Sequence, residues 1–422
     1  MATLLLVVGI AAVVSALNAI APRRGTILVL PAFLSSWLTL ELAPWWLFWD
    51  VVVTVACVAG GALDERRGWV GLALAVAGAV GLVAIIVKTR RTVVSARHAL
   101  AEIEIDEDAP AFPRTHVAFP ILMRRRSGVE RIRNLVFAEV EGKRLRLDVY
   151  RPAGTTPGQR RPGILQIHGG GWAIGDKREQ GIPLLNHLAA NGWVGINANY
   201  RLSPKVAFPT HLIDLKRAVA WYRVHAAEYG ADPDFLCVTG GSAGGHLTAL
   251  MALTANEPEY QPGFEGVDTT LTAAVPFYGV YDFTNRLGTW RDRTIQRFFE
   301  PIVMKKRLCD DPDAFRKASP IDLVRPDAPP FFVIHGSRDT LAPVEDARLF
   351  VERLRAVSNA PVLYAEMEGA QHAFDIFPSF RTARVIEAVE RFLRAVHVAY
   401  HGGRTLGAVR EREVTSPVVA PN

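Results

Sequence analysis

The chain has 422 residues, 50% hydrophobic and 21% charged, with a formal net charge of +6. That length and apolar content exclude a disordered or fibrous chain and leave room for more than one structural unit. Three cysteines (Cys57, Cys237, Cys309) with no C-x-x-C pair or His/Cys cluster argue against a disulfide framework or a zinc site, so no cofactor is expected, and no basic run is longer than Arg124-Arg125-Arg126, too short to suggest a nucleic-acid partner.

Charge-poor apolar stretches near residues 3–22, 38–61 and 68–88 each come close to the roughly 20 residues a helix needs to cross a bilayer. They predict about three transmembrane helices over 1–88, with Pro31 and Pro44 as the points that would divide the middle stretch and give four. Trp45, Trp46 and Trp49 read as an interfacial belt. Arg23 and Arg24 follow the first stretch, and Lys88, Arg90, Arg91 and Arg97 follow the last. With three crossings both clusters share one side, which the positive-inside rule makes cytoplasmic. The expectation is an integral cell-membrane protein whose remaining chain lies inside, a basic body beside anionic membrane lipid. A cleaved signal peptide fits less well, because no Lys or Arg precedes Arg23.

Residues 89–128 read as a linker, acidic over Glu102 to Asp108 and basic over Arg124 to Arg126. Beyond it, strand-like runs alternate with helical patterns over 129–400, which predicts an α/β domain with a mostly parallel sheet covered on both faces. The run Gly163–Ile167 leads into His168-Gly169-Gly170-Gly171-Trp172. Glycines after a strand let backbone N–H groups approach a ligand, and an N–H facing a developing oxyanion is worth about 3 kcal/mol of barrier. Phe235–Thr239 leads into Gly240-Gly241-Ser242-Ala243-Gly244 and then a helix, a turn that exposes a serine hydroxyl. Such a serine needs a base, and the base an orienting acid. Both follow strands: Phe331–Ile334 runs to Asp339, and Val362–Met367 runs to His372.

Competing residues have simpler explanations. Glu345 and Asp346 follow Pro343 on a solvated helix face; His335 is packed, His246 points away along its helix, and His168 shapes the glycine loop. Residues 283–328 break the strand–helix rhythm and read as an insertion capping the site, and 401–422 as a disordered tail.

These motifs resemble the hormone-sensitive-lipase-like carboxylesterases of the α/β-hydrolase fold. Further matches are Tyr200-Arg201-Leu202-Ser203-Pro204 with Phe208-Pro209, then Asp214, Ala218 and Trp221, and Phe277-Tyr278-Gly279-Val280-Tyr281-Asp282. The resemblance implies Ser242 as nucleophile, His372 as base and Asp339 as acid. It implies an oxyanion hole from the N–H groups of Gly169, Gly170 and Ala243, and makes Trp172, Tyr200 and Phe277 candidate pocket residues. Two positions depart from it: Gly241 stands where many members carry Asp, and His372-Ala373-Phe374 where many carry His-Gly-Phe. The implied substrate is a small-molecule or lipid ester. An amide or aryl ester, as in formamidase-like and feruloyl-esterase-like enzymes, stays open, as does a non-catalytic interaction protein on a hydrolase scaffold. Since every implied catalytic residue lies beyond residue 100, a chain starting there is expected to hydrolyse small esters.

Overall fold

The computed structural model describes residues 1–22, 29–103, 109–120, 126–290, 294–403 and 406. Arg23, Arg24, the run Arg291-Asp292-Arg293 and nearly all of the expected tail lie outside the described residues.

Eight strands make one sheet: β1 (Val129–Val140), β2 (Lys143–Pro152), β3 (Arg161–Ile167), β4 (Val194–Ala198), β5 (Ala231–Gly241), β6 (Ala273–Phe277), β7 (Phe331–Gly336) and β8 (Val362–Met367). Their order is β1-β2-β4-β3-β5-β6-β7-β8. β2 pairs antiparallel with both β1 and β4, and the pairs from β4 through β8 are parallel. The central strands are apolar at consecutive positions because both faces are covered. On β5, Phe235 and Cys237 join one core while Leu236 and Val238 join the other; Ile164 and Leu165 of β3 split the same way. Helices Ile182–Ala190, Thr210–His225, Ala243–Leu253 and Val344–Val357 connect the parallel strands, and Phe380–His401 closes one face. Parallel pairing brings the C-terminal ends of β3, β5, β6, β7 and β8 to one edge. Every catalytic candidate follows one of those ends.

The N-terminal region packs by a different rule. Helices Ala2–Ile20, Ala43–Ala59 and Arg66–Thr89 bundle together. A Cβ on Gly71 would lie 2.7 Å from the Leu6 nitrogen, and one on Gly78 2.5 Å from the Ala12 Cβ. Only glycine lets the first and last helices approach so closely. Leu4, Val7, Ile10, Val14, Val76, Val80 and Val87 meanwhile face outward. Small residues inside and large apolar residues outside make a surface suited to lipid. The first helix and the one running from Arg66 are long and apolar enough to cross a membrane. Leu5 clusters with Cys57 and Ala75, and Ala19 with Ala43 and Leu82, so Ala43–Ala59 runs antiparallel to its two neighbours.

Two expectations need correction. The middle stretch is not one helix from 38 to 61: Leu30–Glu41 and Ala43–Ala59 meet at 87°. Pro44, lacking an N–H, sits in the first turn of the second helix, where none is needed. Nor is 89–128 only a linker. Helix Thr92–Leu100 places Ala96, Ala99 and Leu100 in the core beside Phe112 and Phe392, and Arg114–Ala118 forms a further short helix.

Candidate active site

Ser242 holds φ 60° and ψ −123°, between the end of β5 and the helix Ala243–Leu253. Its N–H donates to the Phe277 carbonyl at the end of β6 (3.0 Å), and its own carbonyl accepts from His246 N (3.0 Å). The turn closes because a Cβ on Gly240 would lie 2.6 Å from the Ile167 carbonyl oxygen and 2.7 Å from that of Gly244. A serine forced into left-handed φ is strained, and the strain holds its side chain clear of the sheet.

His372 and Asp339 meet across the loops that follow β8 and β7. Nδ1 of His372 donates to Oδ2 of Asp339 at 2.6 Å. The other carboxylate oxygen accepts from the N–H groups of Leu341 (2.8 Å) and Ala342 (2.7 Å), and His335 Nε2 stands 3.4 Å from Oδ2. Burial raises the Asp339 carboxyl, but His372 and His335 more than reverse this and hold it well below the usual carboxylate range. Gln371 ties the two loops together, its Oε1 accepting from Thr340 N (2.8 Å) and His372 N (2.9 Å). The Tyr278 ring, one residue past the strand end that holds Ser242's N–H in register, lies 4.6 Å from the His372 ring. Ser242, His372 and Asp339 thus share one edge of the sheet.

The glycine loop divides its donors. Gly169 N–H already donates to Gln180 Oε1 at 2.7 Å. This removes it from the expected set of oxyanion donors and makes it a brace for the loop. Gly170 and Gly171 follow with φ +110° and +59°. Phe298 of the insertion comes over Gly171, close enough that a Cβ there would stand 3.0 Å from its ring.

The three candidate pocket residues lie behind the site. Trp172, Tyr200 and Phe277 are each no more than 4% exposed. Trp172 Nε1 donates to His246 Nδ1 (3.1 Å), and its ring meets Phe283 and Phe299 edge-on. Tyr200 stacks on His168 and donates its hydroxyl to the His168 carbonyl (3.0 Å). Through these contacts Trp172 and Tyr200 brace the loops around the site, a role that residue type alone does not reveal.

The competing residues are committed elsewhere. His246 accepts at Nδ1 and donates from Nε2 to the Ala318 carbonyl (2.7 Å), and burial lowers its pKa to about 4. His168 is buried with Nδ1 against Gly169 O (2.8 Å), and burial lowers it too. Asp346 departs from expectation: it is 2% exposed, not solvated, and accepts from Thr289 Oγ1 (2.9 Å) and Trp290 Nε1 (2.8 Å). The insertion covers this part of its helix, and the hydroxyl and indole replace water. Sequence reasoning missed Gln180 and Gln371, whose roles depend on contacts between loops, and it missed Asp375, which accepts from the Tyr278 hydroxyl beside His372.

The BD-FAE family model matches residues 147–354. The chain is 48% identical over 266 residues to the probable carboxylic ester hydrolase LipM of Mycobacterium tuberculosis, covering 63% of this chain and 62% of that one. It is 45% identical over 267 residues to the esterase LipQ of the same organism, with the same coverage. The match therefore spans less than two thirds of either relative. Among solved structures, butyrate-bound Est2, an esterase from Thermogutta terrifontis, aligns with a TM-score of 0.54 at 28% identity, over 65% of this chain and 95% of that one. The chain has the α/β-hydrolase fold that these esterases share. The strand order places Ser242, Asp339 and His372 after β5, β7 and β8, in the chain order serine, acid, histidine.

Proposed function

We propose that this α/β-hydrolase is a membrane-anchored serine hydrolase that cleaves carboxylic esters through an acyl-enzyme. The observation that carries the reading is the 2.6 Å bond from His372 Nδ1 to Asp339, on the sheet edge where Ser242 occupies a strained turn. With Nδ1 donating to Asp339, Nε2 keeps the lone pair that accepts the Ser242 proton. Ser242 Oγ attacks the ester carbonyl as His372 takes that proton. The carbonyl oxygen becomes negative and faces the N–H groups of Gly170, Gly171 and Ala243. Collapse breaks the ester C–O bond, and His372 returns the proton to the leaving alkoxide. Water, deprotonated by His372, then attacks the acyl-enzyme and releases the acid and Ser242. Asp339 keeps its charge throughout and stabilises the imidazolium.

Relatives named as ester hydrolases, and a T. terrifontis esterase 2 that has been phosphonylated by sarin (26% identity, TM-score 0.55), support this chemistry. The helices Ala2–Ile20 and Arg66–Thr89, with Ala43–Ala59 between them, support an integral protein with three crossings. Three crossings put the hydrolase on the cytoplasmic side, where the Lys88, Arg90 and Arg91 flank belongs. A fluorophosphonate probe tests the chemistry: it should label the protein at Ser242, and p-nitrophenyl esters of increasing acyl length should define the substrate range. An unlabelled, inactive protein would leave the non-catalytic reading. Active alkaline phosphatase fused after residue 400 would overturn the orientation.

A further inference from the structure

The helix Val29–Glu41 lies against the loop that carries His372. Phe33, Ser36, Leu40 and Glu41 are buried along one face, while Leu30 and Leu34 stay exposed on the other. Phe33 meets the His372 ring edge-on at 6.2 Å between centroids, and Trp37 stacks on Phe377 at 5.1 Å. At the end of the helix Glu41 accepts from Ser379 Oγ (2.6 Å) and pairs with Arg381 (3.1 Å). One contact reaches the residue next to the base: Trp37 Nε1 donates to the Ala373 carbonyl at 2.8 Å.

Ala373 holds φ +61°, a left-handed conformation that an L side chain rarely adopts. Glycine would enter it without penalty. Here a Cβ is present, so the loop has a standing tendency to rotate out of this geometry, and rotation at 373 would carry the His372 imidazole away from Ser242. The Trp37 bond opposes that rotation from outside the sheet.

We propose that Trp37 is a positioning residue: the N-terminal helix clamps the Ala373 carbonyl and so holds His372 in register with Ser242, making the apolar N-terminal region a working part of the active site. The inference rests on the reading of His372 as general base. It implies that detaching the helix from the hydrolase slows the chemical step without removing any catalytic group.

The test uses the full chain in detergent micelles. Trp37→Phe keeps a ring against Phe377 but loses the donor. It should lower kcat on p-nitrophenyl butyrate by about tenfold, as expected when a buried carbonyl loses its partner, with KM within about twofold. Labelling of Ser242 by a fluorophosphonate should slow in parallel. Ala373→Gly in the same chain should restore most of the loss, because glycine needs no clamp at φ +61°. A merely structural Trp37 would give no such rescue. Unchanged kcat in Trp37→Phe, or a loss that glycine does not relieve, overturns the proposal. Should Trp37→Phe fold poorly alone, the double variant is compared with Ala373→Gly: a loss under about twofold supports the clamp, and a tenfold loss overturns it. If the unsubstituted protein is not labelled at Ser242, the reading of the triad falls and the clamp with it. Normal labelling with an unaffected Trp37→Phe sinks the clamp alone.

Discussion

The helical bundle and the α/β domain follow opposite packing rules. In the α/β domain large apolar side chains such as Phe332, Leu247 and Phe392 fill two cores, and charged groups stay outside or, like Asp346 and Lys216, are buried with hydrogen-bond partners. In the bundle Gly9, Gly71 and Gly78 bring backbones together, while Val and Leu side chains face outward. The first rule uses water to drive burial; the second works where the surroundings are themselves apolar. The seam between them is polar and specific. Lys88 and Arg91 meet Glu368 at 3.2 and 3.3 Å, Arg338 donates to the Ala19 carbonyl at 3.3 Å, and Glu41 pairs with Arg381. The Lys88, Arg91 and Glu368 contacts stay open to solvent, but Glu41 and Arg381 are each only 1% exposed and neither region could bury its member alone.

Substitutions separate the two regions by what they damage. Ser242→Ala should abolish ester hydrolysis, with turnover down on the order of a millionfold, while helical content and detergent-resistant membrane association stay normal. Near-normal turnover in the purified variant would end the nucleophile assignment. Asp339→Asn should cost roughly 10⁴-fold in kcat by favouring the wrong imidazole tautomer. Asp346→Asn should leave kcat close to normal, and steady-state rates of the pair test which acid serves His372.

At the seam, Arg381→Ala leaves Glu41 buried without its partner. Losing one member of a buried pair typically costs about 3–5 kcal/mol, so thermal unfolding in detergent should show a large drop. An unchanged midpoint would mean that the two regions do not depend on this contact. A chain starting near residue 100, expected from sequence to remain active, lacks Trp37 and Glu41. Under the clamp proposal it should hydrolyse p-nitrophenyl butyrate at least about tenfold more slowly than the full chain.

A further, pH-dependent effect concerns Asp346. Burial pushes its carboxyl up to about 6 from an ordinary 3.8, with Thr289 and Trp290 holding it back. A carboxyl raised by folding contributes fully below its unfolded pKa and loses that contribution as pH rises through the folded value. Asp346→Asn should therefore be more stable than the original chain at pH 8, by up to about 3 kcal/mol, and should lose the advantage by about pH 4. Unfolding midpoints at the two pH values give the sign directly, and an advantage that grows in acid would contradict the burial argument.

The positions of Ser242, Asp339 and His372 were legible because each motif is local: a strand, a glycine-bearing turn and a reactive side chain within a few residues. The strands themselves were legible from apolar runs such as Phe235–Val238, since a sheet covered on both faces leaves no polar alternation to confuse the reading. Asp346 was misread because helical periodicity says which residues share a face, not what a distant insertion lays over it. Gly169 was misassigned because its N–H is spent on Gln180, eleven residues away in a different turn.

What the sequence by itself determined is an order: an apolar N-terminal region, then an α/β chain with Ser242, Asp339 and His372 placed after strand ends. Those follow from covalent neighbours and hydrophobic period, which are properties of the chain. Tertiary structure alone decided the 87° angle at the break near Pro44, the docking of Val29–Glu41 on the His372 loop, the packing of Ala96, Ala99, Leu100 and Phe112 into the core, and the use of the Gly169 N–H on Gln180. Each depends on groups far apart in sequence competing for the same hydrogen bond or the same space, and only the folded chain settles that competition.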